Sequence, residues 1–154
     1  MTLVVLTAAF GSALMAGLFF AFSTAVMTAL GRIEPAAGIA AMQRINEVIQ
    51  NPVFFLAFFG TALASFAVIA AAVLGWNDGP ALTSAAGALA YLVGIVGVTI
   101  LFNVPMNGQL AVVDPASVEG ARVWADYLAR WTAWNHLRTV SGMVAAGLFA
   151  LGLL

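Results

Sequence analysis

The sequence predicts an all-α protein, an integral membrane four-helix bundle with short amphipathic helices in its two longer connections. Three observations lead there. Of the 154 residues, 64% are hydrophobic and only 7% charged, where soluble domains run near about 25% charged. Apolar runs long enough to cross a hydrocarbon core of about 20 helical residues recur along the chain. The few polar groups gather beside one membrane face. The length suits a single transmembrane domain over 1–154.

The first span covers about 3–30. The first 31 residues hold no charged side chain, whereas a secretory signal opens on a basic region and has a shorter apolar core. It therefore reads as a retained span. The second, 53–74, has Asn51 as N-cap and Pro52 at the first helical position, where a missing N–H costs little. A turn over Trp76, Asn77, Asp78, Gly79 and Pro80 leads to the third span, 81–102. In the last stretch only Thr139 to Leu154 is free of charge, about 24 Å of helix, slightly short for a bilayer. A fourth span of 131–154 restores the length and draws His136 and Arg138 toward the membrane.

All five basic residues, Arg32, Arg44, Arg122, Arg130 and Arg138, follow span one or span three, and the loop after span two offers only Asp78. The positive-inside rule then puts the two longer connections in the cytoplasm and both termini outside. A net charge of -1 without a basic run points away from nucleic acid. With no cysteine there is no disulfide, thiolate site or cysteine nucleophile, and one histidine without carboxylates in the spans argues against a metal centre. Small residues recur at helical spacing: Ala13, Gly17, Ala21, Ala25 and Ala29 in span one, and Ala86, Ala90 and Gly94 in span three. They serve close packing within the bundle or a seam between two copies.

Glu34 to Gln50 reads as an amphipathic helix with Pro35 in its first turn. Ile39, Met42, Ile45 and Ile49 form its apolar stripe, and Gln43, Arg44, Asn46, Glu47 and Gln50 its polar side. The run Asn103-Val-Pro-Met-Asn107 ends span three, as a polar stop with a proline kink or as a broken helix end turning amides into a cavity. Asp114 and Pro115 read as cap and first turn of a helix through Ser117 to Arg130. Glu119, Arg122 and Asp126 form its solvated face, with Trp124 and Tyr127 as interfacial anchors.

Arg130 to Thr139 is the most informative segment. On a helix, Trp131, Asn135, Arg138 and Gly142 share one stripe, with Thr132, His136 and Thr139 on the adjoining flank. Such an arc faces a bundle interior or a wet pocket, unless Arg138 snorkels to phosphate and the tryptophans sit in the aromatic belt. His136 and Arg138 lie on opposite edges of the arc, suited to two ends of a flat ligand.

Four stretches together resemble the anthrone oxygenase-like family of small four-span membrane proteins. They are Gly17-Leu-Phe-Phe-Ala-Phe-Ser-Thr-Ala-Val-Met27; Gln43-Arg-Ile-Asn46 with Asn51-Pro-Val-Phe54; Asn103-Val-Pro-Met-Asn107; and Trp131-Thr-Ala-Trp-Asn-His-Leu-Arg-Thr139. The resemblance implies a bacterial cytoplasmic membrane location. It also implies oxidation of a hydrophobic aromatic substrate such as an anthrone to an anthraquinone by molecular oxygen, with no metal or other cofactor. Its pattern residues here are Asn46, Asn51, Asn103, Asn107, Trp131, Trp134, Asn135, His136 and Arg138. His136 is then the natural base, since imidazole exchanges protons near neutral pH. Arg138 or the amides of Asn103, Asn107 and Asn135 would hold the oxyanion, and Trp131, Trp134 and Phe102 would wall a flat substrate. The competing reading is a non-catalytic bundle that binds a lipid, quinone or hydrophobic metabolite, or an accessory subunit of a membrane complex.

Overall fold

The computed structural model describes residues 1–75 and 79–154, so of the turn expected over 76–80 Trp76, Asn77 and Asp78 lie outside the described residues, while Gly79 and Pro80 are already helical. The described chain is helical and, among those residues, contains no strand. Helix α1 is Thr2–Leu30, α2 is Pro35–Val48, α3 is Pro52–Val73, α4 is Ala81–Ala111 and α5 is Val118–Leu151. Three of them, α1, α3 and α4, are long and apolar enough to cross a membrane. Helix α5 is longer still, but Asn135, His136 and Arg138 interrupt its apolar character.

Local chemistry explains the boundaries. Asn51 caps α3 as expected, its Oδ1 accepting from the backbone N–H of Val53 and Phe54 at 3.1 and 3.0 Å, and Pro52 takes the first turn. Pro35 opens α2 in the same way. The start of α5 falls elsewhere than predicted. Ser117, not Asp114, is its N-cap, accepting from Gly120 N at 2.9 Å, while Asp114 closes the preceding turn onto Ala116 N. The amphipathic stretch and the last apolar stretch also prove to be one 34-residue helix, with no break at Trp131.

Span three corrects a second expectation. The helix does not break at Asn103-Val-Pro-Met-Asn107 but continues to Ala111. Wide π-turns run over Leu92–Gly97 and Thr99–Asn103, just before Pro105. A proline ring normally meets the carbonyl four residues back; the widened turn relieves that clash and re-aims the polar face.

Helix α1 packs along α5, the first half of α4 also lies on α5, and α3 rests against α1 and that first half. The Tyr91 hydroxyl donates to Phe58 O at 2.9 Å and ties α4 to α3 there. Close approach of α1 and α5 requires a glycine: a Cβ at Gly142 would sit 2.9 Å from the Ala16 Cβ. Of the small residues expected to serve packing, those of span one do not serve it within the chain, since Ala13, Gly17, Ala21, Ala25 and Ala29 are all exposed, whereas Gly94 of span three does, because a Cβ there would collide with the Ser141 side chain.

Two apolar clusters result. One joins Met15, Phe58, Tyr91, Ile95 and Phe149. The other joins Met27, Ile39, Met42, Leu110, Trp124 and Tyr127 beneath α2. Trp124 and Tyr127 are therefore core residues at 3% and 2% exposure, not the interfacial anchors expected. Beyond Gly97 α3 no longer packs on α4, and the gap so formed, closed at one end by α2, is the cavity described next.

Candidate functional site

The cavity has a volume of about 490 Å³, within the usual range for small-molecule sites. Phe54, Phe55 and Phe58 of α3 face Ile100, Asn103 and Asn107 of α4 across it. Met42, Asn46 and Glu47 of α2 close one end, and Phe19 of α1 with Trp131 and Arg138 of α5 complete the wall. Phe55 and Phe59 are 39% and 55% exposed at its edge, so the cavity communicates with the apolar surface of the bundle.

Arg138 is the unusual group. It is 5% exposed and, among the described residues, no carboxylate lies within ion-pair distance of it; the ion pairs there join Arg44 to Glu47, Arg122 to Glu119 and Arg130 to Asp126, all on the surface. Its Nη2 donates to Asn135 Oδ1 at 2.7 Å and its Nη1 to Thr99 Oγ1 at 3.3 Å, both neutral acceptors. The guanidinium lies over the Phe19 ring at 4.3 Å and near the Trp131 ring at 5.0 Å. Cation–π contact offsets part of the desolvation cost, but a buried charge without a counter-charge stays expensive. Its Nε has no hydrogen-bond partner among the described residues.

Asn135 holds this arrangement. Fully buried, it donates through Nδ2 to Phe19 O and Ser23 Oγ, both at 2.7 Å, which leaves its carbonyl for Arg138. Thr139 completes the network, donating to Asn135 O at 2.9 Å and lying 3.1 Å from Ser23 Oγ. Asn135, Arg138 and Thr139 of the polar arc thus form a buried cross-link between α1 and α5 that delivers one guanidinium to the cavity.

A second network lines the α4 side. Asn107 Oδ1 accepts from both Tyr127 Oη and Trp131 Nε1, each at 2.8 Å, and Asn46 Nδ2 lies 3.5 Å from the Tyr127 hydroxyl. Trp124, Tyr127 and Trp131 stack in a ladder along α5. Burial pushes the Tyr127 phenol well above its ordinary range, against weaker opposing effects of Asn46 and the Arg138 charge, so it stays a hydroxyl donor. Asn103 is 1% exposed and donates to Trp131 O at 3.2 Å, and its Oδ1 lacks a partner among the described residues.

Not every predicted site residue meets the cavity. Asn46, Asn103, Asn107, Trp131 and Arg138 line it, and Asn135 stands directly behind. Asn51 does not, because both ends of its amide are spent on the α3 cap and on Val48 O. Trp134 does not wall the slot; it stacks on Phe102 at 3.7 Å, outside the lining. His136 is exposed and also outside the lining. Two residues from Arg138 on a helix is about 200° around the axis, so burying the guanidinium turns the imidazole outward. The geometry therefore does not support His136 as a base within the slot. Phe19, Thr99 and Tyr127 were missed as site residues: Phe19 lies within the Gly17–Met27 stretch but has no polar group, Thr99 stands outside any motif, and Tyr127 read as an interfacial anchor. Among the described residues no three His, Cys, Asp or Glu side chains gather as a metal set.

These features define a class: a helical protein with membrane-compatible helices around an apolar cavity walled in part by a buried guanidinium that, among the described residues, has no counter-charge. The family model for anthrone oxygenase matches residues 53–148, more than half of the chain, and the protein belongs to that family. The matched stretch contains all of α3 but Pro52, together with α4 and most of α5, while Phe19 and Asn46 come from helices before it. No curated protein and no solved structure matches the chain.

Proposed function

We propose that this chain is a membrane-embedded, cofactor-independent oxygenase that converts an aromatic ketone of the anthrone type to the corresponding quinone. The observation that carries this reading is Arg138, a guanidinium without a counter-charge on the wall of an apolar, phenyl-lined cavity. Such a site favours a flat hydrophobic body carrying an oxyanion, which supplies the missing negative charge.

The chemistry follows from the substrate. Loss of a proton from the anthrone methylene leaves an electron pair spread onto the ketone oxygen, and Arg138 stabilises that oxyanion. The proton passes to water at the α2 end, where Glu47 is the one carboxylate in the lining among the described residues. The electron-rich anthrolate gives one electron to oxygen, and the two radicals combine to form a carbon–peroxide bond. The peroxide takes back the first proton, and loss of the second C–H proton then expels hydroxide as the O–O bond breaks, the two combining as water. One oxygen is consumed and one water formed per quinone. The phenylalanine walls admit non-polar oxygen and exclude bulk water.

In this reading the fourth crossing is 131–154, the part of the chain from Trp131 of α5 onward, packed between α1 and α4, and 1–154 is one transmembrane domain with both termini outside. The α2 end is cytoplasmic, where Arg32, Arg44, Arg122 and Arg130 collect. Labelling of a cysteine at Glu119 from the outside would reverse that orientation. The functional test is oxygen uptake by purified protein in lipid nanodiscs with 1,8-dihydroxyanthrone. The expected result is one oxygen per quinone, abolished in Arg138→Met. Uptake no faster than in empty nanodiscs, with a lipid or quinone copurifying in stoichiometric amount, favours a binding protein instead.

A further inference from the structure

The Asn107 carboxamide has a defined orientation. An indole N–H only donates, so the Asn107 atom 2.8 Å from Trp131 Nε1 must be the carbonyl oxygen. The Tyr127 hydroxyl meets the same oxygen at 2.8 Å and therefore donates to it, while accepting from Asn46 Nδ2. Two donors saturate the carbonyl and leave the Asn107 N–H groups without a partner among the described residues, on a side chain that lines the cavity. Tyr127 does not itself line the cavity.

Resting on the reading that the cavity takes an aromatic oxyanion, we propose that Tyr127 is a positioning residue: with Trp131 it clamps the Asn107 amide so that its N–H donates to an oxygen of the bound substrate. The cavity then offers two donors from different helices, Arg138 on α5 and Asn107 on α4. Tyr127 acts only through the second. Its place between Trp124 and Trp131, with ring centroids 5.7 and 5.6 Å away, makes the clamp rigid.

Two substitutions separate positioning from mere packing. Asn107→Asp retains an acceptor for both Tyr127 and Trp131 and replaces the cavity-facing donor with an acceptor. Tyr127→Phe keeps the stack and removes one of the clamp's two bonds, leaving Asn107 held by Trp131 alone. With 1,8-dihydroxyanthrone, kcat/KM falls about 100-fold in Asn107→Asp, the scale of losing one oxyanion donor, and several-fold in Tyr127→Phe. Adding Tyr127→Phe to Asn107→Asp has no further effect, because the two act through one hydrogen bond. Turnover of Asn107→Asp at the wild-type level overturns the inference while the oxygenase reading stands, and so does a Tyr127→Phe penalty that persists in full in the double variant. If the wild type binds 1,8-dihydroxyanthraquinone without oxidising the anthrone, the reaction is overturned, and the same pattern read on affinity supports the clamp. Wild-type protein that neither binds nor oxidises either probe overturns both. If Asn107→Asp does not fold, Tyr127→Phe carries the test: lower kcat or affinity with an unchanged melting temperature supports the clamp, and wild-type values overturn it.

Discussion

Asn135 Oδ1 accepts from Arg138 Nη2 at 2.7 Å, one helical turn away on α5. A neutral carbonyl, not a carboxylate, thus holds the guanidinium, and its charge remains available to a ligand. Asn135→Asp neutralises that charge in place and removes the donor to Phe19 O and Ser23 Oγ. Anthrone-dependent oxygen uptake should fall at least about tenfold, with thermal melting following stability. An uncompensated buried carbonyl costs roughly 1–3 kcal/mol, so the melting temperature should fall unless the new ion pair offsets it. Full activity in this variant contradicts the role given to the charge.

Arg138→Met isolates the charge in a different way. Replacing a buried ion by an apolar side chain of similar length is often neutral or stabilising, while the orphaned Asn135 Oδ1 costs about 1–3 kcal/mol. The fold should survive with a modest change in melting temperature, and kcat/KM should drop by about 10²–10³. Arg138→Lys should fail nearly as badly, since an ammonium cannot reproduce the forked contacts to Asn135 and Thr99.

His136→Ala should leave oxygen uptake within about twofold of wild type, because surface substitutions remote from a site usually have small effects. The imidazole is exposed and outside the cavity lining. A loss of two orders of magnitude would restore the histidine as the base and require α5 to rotate.

Gly108 lines the cavity, and a Cβ built there meets nothing within 4 Å. Gly108→Leu should therefore fill the cavity without a backbone clash and gain up to about 1 kcal/mol of helix propensity. The expected outcome is an equal or higher melting temperature with KM raised about tenfold, a loss of roughly 1.4 kcal/mol of binding.

Tyr127 makes a prediction in pH. Its phenol is held above the ordinary 10.0 mainly by burial, so the unfolded chain gives up that proton first. The stabilisation is complete below the ordinary value, declines once the unfolded phenol ionises, and is lost as pH rises through the folded value. Tyr127→Phe should flatten the alkaline decline in melting temperature between about pH 9 and pH 11. Equal slopes for the two proteins would place the phenol in water.

The sequence made the helical scaffold legible because apolar runs, caps and prolines act locally. Asn51 and Pro52 marked the start of α3, and the stripe of Trp131, Asn135, Arg138 and Gly142 marked the buried face of α5. Periodicity alone does not say which flank of that stripe is covered, and this decided the fate of His136. The course of α4 through Pro105 depended on π-turns that carry no composition signal. Asn51 and Asn135 share a residue type with Asn103 and Asn107, yet one caps a helix and another braces an arginine. Only tertiary neighbours distinguish them. Tyr127 and Trp124 read as interfacial because aromatic residues near a span end usually are, and α2 covers them instead.

The most direct test of the central claim is the visible spectrum of 1,8-dihydroxyanthraquinone bound to the protein at neutral pH. The phenol and its phenolate absorb at different wavelengths, so the bound ionisation state is read without any turnover. An unpaired Arg138 predicts a bound phenolate in the wild type and the neutral phenol, bound more weakly, in Arg138→Met. The same neutral spectrum and equal affinity in both proteins would contradict it.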